Sequence, residues 1–143
     1  MKYVVYFCTA IFSVFLIAGC KTAPKEIPED LSSQELIHLA QTSYDDGNVK
    51  AAMAYYEAII IRYGDDMSTL VEAEYEIAHL KVKKEQWQEA IPDLQRILSY
   101  YENDMTGTLP PAFKKLAQND WKKIPENEGV KAGVIQATEE QPV

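Results

Sequence analysis

Cysteine is nearly absent from this chain. Cys8 and Cys20 are the two it has, and both fall in the first twenty residues. No disulfide framework or thiolate metal cluster can therefore hold the body of the protein together. Histidine is equally scarce: His38 and His79 stand alone, without Cys or His partners at ligand spacing. Basic charge is in short supply too, with 14 Lys and Arg against 22 Asp and Glu, a formal charge of −8 and a pI of about 4.7. A nucleic-acid partner, whose phosphates demand a basic face, is excluded on that ground, and so is adsorption to anionic lipid by charge alone. The one long apolar run, residues 3–17, is shorter than the roughly 20 residues a membrane span needs. At 143 residues the chain has room for one domain.

That apolar run follows Lys2 and ends in Leu16-Ile17-Ala18-Gly19-Cys20. The ending resembles the bacterial lipobox: an aliphatic residue, two small ones that let the backbone enter a peptidase cleft, and a cysteine whose thiol accepts lipid. The resemblance implies a signal peptide over residues 1–19, cleavage before Cys20, and acylation of that cysteine. Two or more acyl chains hold a protein on a bilayer where one holds it poorly. Cys8 and Lys2 would leave with the signal, which takes the charge from −8 to about −9. Residues 20–30 then read as the lipidated cysteine and an extended spacer, with Pro24 and Pro28 and no apolar period. By resemblance to enteric sorting rules, Lys21 after the cysteine points to the outer membrane. The protein is expected to face the periplasm.

The body, residues 31–124, reads as all-α. Ser32 and Glu35 fit a capping box flanked by Leu31 and Leu36. A first helix follows, with Leu36, Leu39, Ala40 and Ser43 on a narrow face, and Asp45-Asp46-Gly47-Asn48 ends it. The second, from about Val49 to Arg62, carries Ala52, Tyr55, Tyr56, Ile59 and Ile60 at helical steps. Gly64 is expected to stop it with a positive φ, and Asp65 and Asp66 are placed to cap the next helix. A third helix starts near Ser68 or Thr69, with Thr69 and Glu72 as a second capping box. The fourth starts near Trp87 and repeats the stripe of the second through Ala90, Ile91, Leu94, Ile97, Leu98 and Tyr101. Pro110-Pro111 opens a last helix with Phe113, Leu116, Ala117, Trp121 and Ile124 on one face. Pro125 ends it, and residues 125–143 read as a disordered tail.

Ala52 and Ala90 lie 38 residues apart (90 − 52 = 38). With Leu36, Leu39, Ala40, Gly47, Tyr56 and Ile59 in one unit and Ile77, Ala78, Leu94 and Ile97 in the next, the helix pairs resemble tetratricopeptide (TPR) repeats, whose usual period is about 34 residues. Ser43, Ile59, Ile97, Gly64 and Glu85 depart from the motif. The implied fold is an α-α superhelix of two TPR-like pairs with a C-terminal capping helix. The lipobox, proline spacer and slightly long units together resemble the BamD-like lipoproteins of outer-membrane β-barrel assembly and the TolA-binding coordinator family.

Transferring the motif's concave-face positions gives Gln34, Ile37, Gln41 and Tyr44 from the first repeat, and Glu72, Tyr75, His79 and Lys83 from the second. Aromatic and amide groups in a groove suit an extended peptide or helix. The expected function is a lipid-anchored adapter for an envelope protein, with no cofactor. The alternatives are a division coordinator of the TolA-binding type and a small-ligand accessory of a transporter; a deep closed pocket would favour the last. No enzyme is expected. Tyr63-Gly64-Asp65-Asp66 spells a polymerase metal motif but lacks the β-hairpin which that motif needs. Asp45-Asp46-Gly47-Asn48 hints at a calcium loop, but Tyr56 stands where its closing glutamate belongs.

Overall fold

Ser32 starts the helical body as a capping box requires. Its backbone N–H donates to Glu35 Oε2 at 2.9 Å, and Glu35 N–H donates back to Ser32 Oγ at 3.3 Å. The computed structural model describes residues 21–133. The signal segment and Cys20, and residues 134–143, lie outside the described residues. Six helices follow in order: α1 Ser33–Asp45, α2 Val49–Tyr63, α3 Met67–Lys83, α4 Trp87–Asn103, α5 Pro111–Trp121 and α6 Glu126–Lys131. No strand occurs among the described residues. The first three turns are so short that α1 to α4 alternate in direction, each packed against its predecessor.

The two hairpins, α1–α2 and α3–α4, repeat at the 38-residue interval far more completely than the alanines alone suggest. Ala40 and Ala78, Ala52 and Ala90, and Ile59 and Ile97 are pairs at that interval, and all six are fully buried. Ile37 pairs with Tyr75 and Tyr56 with Leu94, again all buried. The turn residues also correspond, for Gly47 has φ 70° and Glu85 has φ 58°. Each second helix closes on a tyrosine that donates to a carbonyl: Tyr63 to Leu31 O at 2.6 Å, and Tyr101 to Pro110 O at 2.7 Å. Alanine at the helix crossings lets the backbones approach, and the larger apolar residues on either side fill the remaining volume.

Several expectations need correction. Gly64 has φ −66°, so it is not a left-handed cap. It is glycine because a Cβ there would meet Ile60 O at 2.5 Å. The cap of α3 is Asp66, as the placement of the aspartates led one to expect, and it accepts from Ser68 N–H at 3.2 Å and Thr69 Oγ at 2.6 Å; the expected Thr69–Glu72 capping box is absent, because Thr69 is bound by the cap instead of serving as one. The last stripe is narrower than expected. Ala117 is buried and Phe113, Trp121 and Ile124 are half-buried, whereas Leu116 is 40% exposed. The segment read as a disordered tail contains α6, tied to α4 by Gln88 Nε2 donating to Glu128 Oε2 at 2.9 Å.

The larger correction concerns residues 21–30. They do not form a free spacer. Arg62 forks onto two consecutive carbonyls, Ile27 O at 2.8 Å and Pro28 O at 2.6 Å. Ile27 packs on the first core cluster beside Leu31. At the other end Asn48 Nδ2 donates to Thr22 O at 3.1 Å, and Lys21 Nζ donates to Asp46 O. A lone isoleucine among prolines and charges has no period, so composition alone reads as linker.

Glu85 tests the repeat. A side chain in the left-handed region costs about 1–2 kcal/mol, a cost glycine escapes. Glu85 is exposed and sits where the first hairpin has Gly47. Glu85→Gly should therefore raise stability by about 0.5–1 kcal/mol in denaturant titration. A loss would show that the turn is held by the glutamate itself.

Candidate functional site

The face that α1 and α3 share over α2 carries an open cavity of about 260 Å³. Gln41, Tyr44 and Asp45 line it from α1, Tyr56 forms its floor from α2, and Glu76, His79 and Leu80 line it from α3. Helical spacing produces this set directly, since Gln41, Tyr44 and Asp45 lie three and four apart, as do Glu72, Glu76, His79 and Lys83. Tyr56 is 98% buried, with 2% exposure left at the cavity. Burial, aided by the charges of Glu76, Glu72 and Asp45, pushes its phenol well above the usual range. Burial also raises the carboxyl of Glu72. At Glu76 burial is again the main cause of a raised pKa; His79 offsets it in part, while Glu72 and Asp120 add to it. The wall is thus aromatic and acidic, and its carboxylates are costly to charge without a cation beside them.

His79 is held from behind. Asp120 of α5, 1% exposed, accepts from His79 Nδ1 at 2.6 Å and from Tyr75 Oη at 3.1 Å through one oxygen. Its other oxygen accepts from Lys123 Nζ at 2.6 Å. Burial pushes the Asp120 carboxyl up, but the hydrogen bonds from Lys123 and His79 outweigh it, and the net shift is downward from 3.8. With Nδ1 engaged, Nε2 is the imidazole nitrogen left for the cavity. An oriented histidine is half of a nucleophilic pair, but no serine, threonine or cysteine lines this cavity. Among the described residues no three His, Cys, Asp or Glu side chains converge as metal ligands.

The eight expected concave-face residues separate into groups. Gln41, Tyr44 and His79 line the cavity, and half-buried Glu72 stands close enough for its charge to act on Tyr56. Gln34 and Lys83 are exposed on the same helices but outside the cavity. Ile37 and Tyr75 are not surface residues at all. Ile37 is 8% exposed within the first core cluster. Tyr75 is 4% exposed, stacked on His79 at 5.7 Å between centroids and tilted against Phe113 of α5 at 5.7 Å. The capping helix covers one side of that ring with Phe113 and binds its hydroxyl through Asp120, which a two-repeat pattern could not foresee. Four lining residues escaped the motif transfer: Asp45, Tyr56, Glu76 and Leu80. Glu76 was legible, being one turn on from Glu72. Tyr56 counted as core, and it is core, except that its hydroxyl end meets the cavity.

An uncharacterized protein of Treponema pallidum (strain Nichols) is 35% identical to this chain over 134 residues, covering 92% of the chain and 54% of that protein. The chain thus spans about half the length of the relative it matches. No family model and no solved structure matches it. No helix among the described residues is long and apolar enough to cross a membrane.

Asp120 should dominate the acid limb of stability. Its folded-state pKa lies below the ordinary 3.8, so its contribution is complete above 3.8 and is lost as pH falls through the lower folded-state value. Asp120→Ala leaves the buried Tyr75 hydroxyl with His79 Nδ1, at 3.3 Å, as its remaining partner and frees Lys123, at a cost of about 1–3 kcal/mol near neutral pH. Asp120→Asn should keep the shape while flattening the acid limb. An unchanged limb in urea titrations between pH 2 and 5 would place the acid-sensitive group elsewhere.

Proposed function

We propose that this chain is a lipid-anchored adapter of the bacterial cell envelope, whose α1–α3 groove takes a basic segment of a partner protein. The observation that carries the reading is the pairing of Tyr44 and Tyr56 with the raised carboxyl of Glu76 in one open cavity, with the raised carboxyl of Glu72 one turn away on the same helix. A lysine or arginine laid there meets the exposed Tyr44 ring and a carboxylate together. The anchor rests on the lipobox resemblance at Cys20, and the TPR-like reading on the 38-residue repeat. Outer-membrane β-barrel assembly is the setting the resemblance suggests first, and envelope-division coordination the second.

A small-ligand accessory is less well supported. The cavity, at about 260 Å³, lies below the roughly 300–1,000 Å³ of most small-molecule pockets. It is also walled by Gln41 and Tyr44, which are themselves exposed.

The carboxyls set the pH dependence. Glu72 and Glu76 have folded-state values above 4.5, so a cationic partner binds more tightly as pH rises through them and the pair ionises. Calorimetric titration with a lysine-rich peptide should show that rise, with weakening by salt. Glu72→Gln combined with Glu76→Gln should weaken binding by about tenfold or more and abolish the pH dependence. A photo-crosslinker in place of Gln41 should trap one envelope protein, and lose it in the double variant. A crosslink indifferent to both carboxyls would contradict a charge-reading groove.

A further inference from the structure

Residues 21–31 run the length of α2, from Tyr63 and Arg62 at its end back to Asn48 at its start. The path is irregular, with a bend at Lys25 and a turn at Glu29 and Asp30. From Thr22 to Pro28 the chain takes six steps, about 20 Å when extended. The 15 residues of α2 rise about 22 Å. The reach of the Arg62 and Asn48 side chains makes up for the bend, so the segment is pinned at both ends of α2. Its last contact is Lys21 Nζ on Asp46 O, in the α1–α2 turn. The next residue back in sequence is Cys20.

We propose that this strap is a rigid mount: it holds the α1–α2 and α3–α4 turn end of the domain against the phospholipid headgroups, with the groove opening sideways. The proposal rests on the lipid anchor at Cys20. A free segment of ten residues would let the domain stand off by about 30 Å. A docked one leaves about one residue, some 3.5 Å, between the anchor and the protein surface.

The helix directions fix which charges share the strap's end. Alternating helix directions bring Lys83 and Lys84 at the end of α3 and Lys122 and Lys123 after α5 to the same end as Lys21. The His79–Asp120 and Gln88–Glu128 bonds confirm that the ends of α3 and α5 and the start of α4 lie together. The opposite end gathers Asp30, Asp65, Asp66, Glu102 and Asp104. The same end also carries Asp45, Asp46, Glu85, Glu126 and Glu128, so the mount rests on the docked strap and not on a charge difference between the ends.

The test uses the full acylated chain in vesicles of phosphatidylethanolamine and phosphatidylglycerol, with a fluorophore at Lys84→Cys or Asp65→Cys and a headgroup quencher. The label at position 84 should be quenched strongly and the label at 65, about 20 Å farther out, hardly at all. Equal quenching at both overturns the mount while leaving the anchor intact. A purified chain whose mass shows no acyl group on Cys20, and which does not bind the vesicles, overturns anchor and mount together. The strap itself is tested without lipid, in the Cys20→Ser chain. Trypsin should cut after Lys25 roughly tenfold faster once Arg62→Ala removes the forked contact. Equal rates, with Lys25 cut as fast as an unfolded peptide, would show that the segment is loose and sink the proposal.

Discussion

Close approach of helix backbones is the constraint on which the structure depends. Ala40 and Ala52 in the first hairpin, and Ala78 and Ala90 in the second, have no exposed surface. A larger residue at any of them would push a helix pair apart. Once the pairs are close, Leu36, Ile59, Leu94 and Ile97 fall into two clusters, and the burial of each large apolar side chain contributes about 1.5–3 kcal/mol. The cavity is a consequence of the same spacing. α2 rises between α1 and α3 only as high as Tyr56, which leaves a groove above the ring.

Polar contacts then decide what the packed helices present. Asp120 draws Tyr75 inward and holds His79 at the cavity edge, so one buried carboxylate both clamps α5 onto α3 and sets the groove wall. On the outer side of the second hairpin, Glu74 and Asp93 pair with Arg96, and Asp93 with Lys81. These bonds join α3 to α4 where a larger apolar seam would otherwise be needed. Arg62 does similar work for the strap. With the proposed anchor at Cys20, a domain mounted this way would offer a partner a fixed groove at a fixed height above the membrane.

Much of this was legible in the chain. The capping box at Ser32 and Glu35, the turn at Gly47, the stripes of α2 and α4, and Pro111 at the start of α5 are local signals, each satisfied within a turn of helix. What was not legible depends on distant partners. Tyr75 looks outward by helical position and is buried because Phe113 and Asp120 arrive from some 40 residues away. Residues 21–30 look like spacer because their bonds are made by backbone carbonyls to Arg62, Asn48 and Tyr63, and carbonyls leave no mark on composition. Leu116 shows the reverse failure: it has the period of a core residue but no further helix to face. The groove lay between, with Gln41, Tyr44 and His79 readable from the repeat, and Tyr56 hidden by its role in the core.

The account turns on backbone proximity at the repeated alanines, and one measurement reaches it directly. Thermal unfolding of Ala52→Leu and of Ala90→Leu should show each losing about 1–3 kcal/mol through overpacking, a fall of several degrees for a domain of this size. Exposed Ala112→Leu, early in α5, should show no loss. Equal melting temperatures for all three variants and the parent chain would contradict the close-packed repeat.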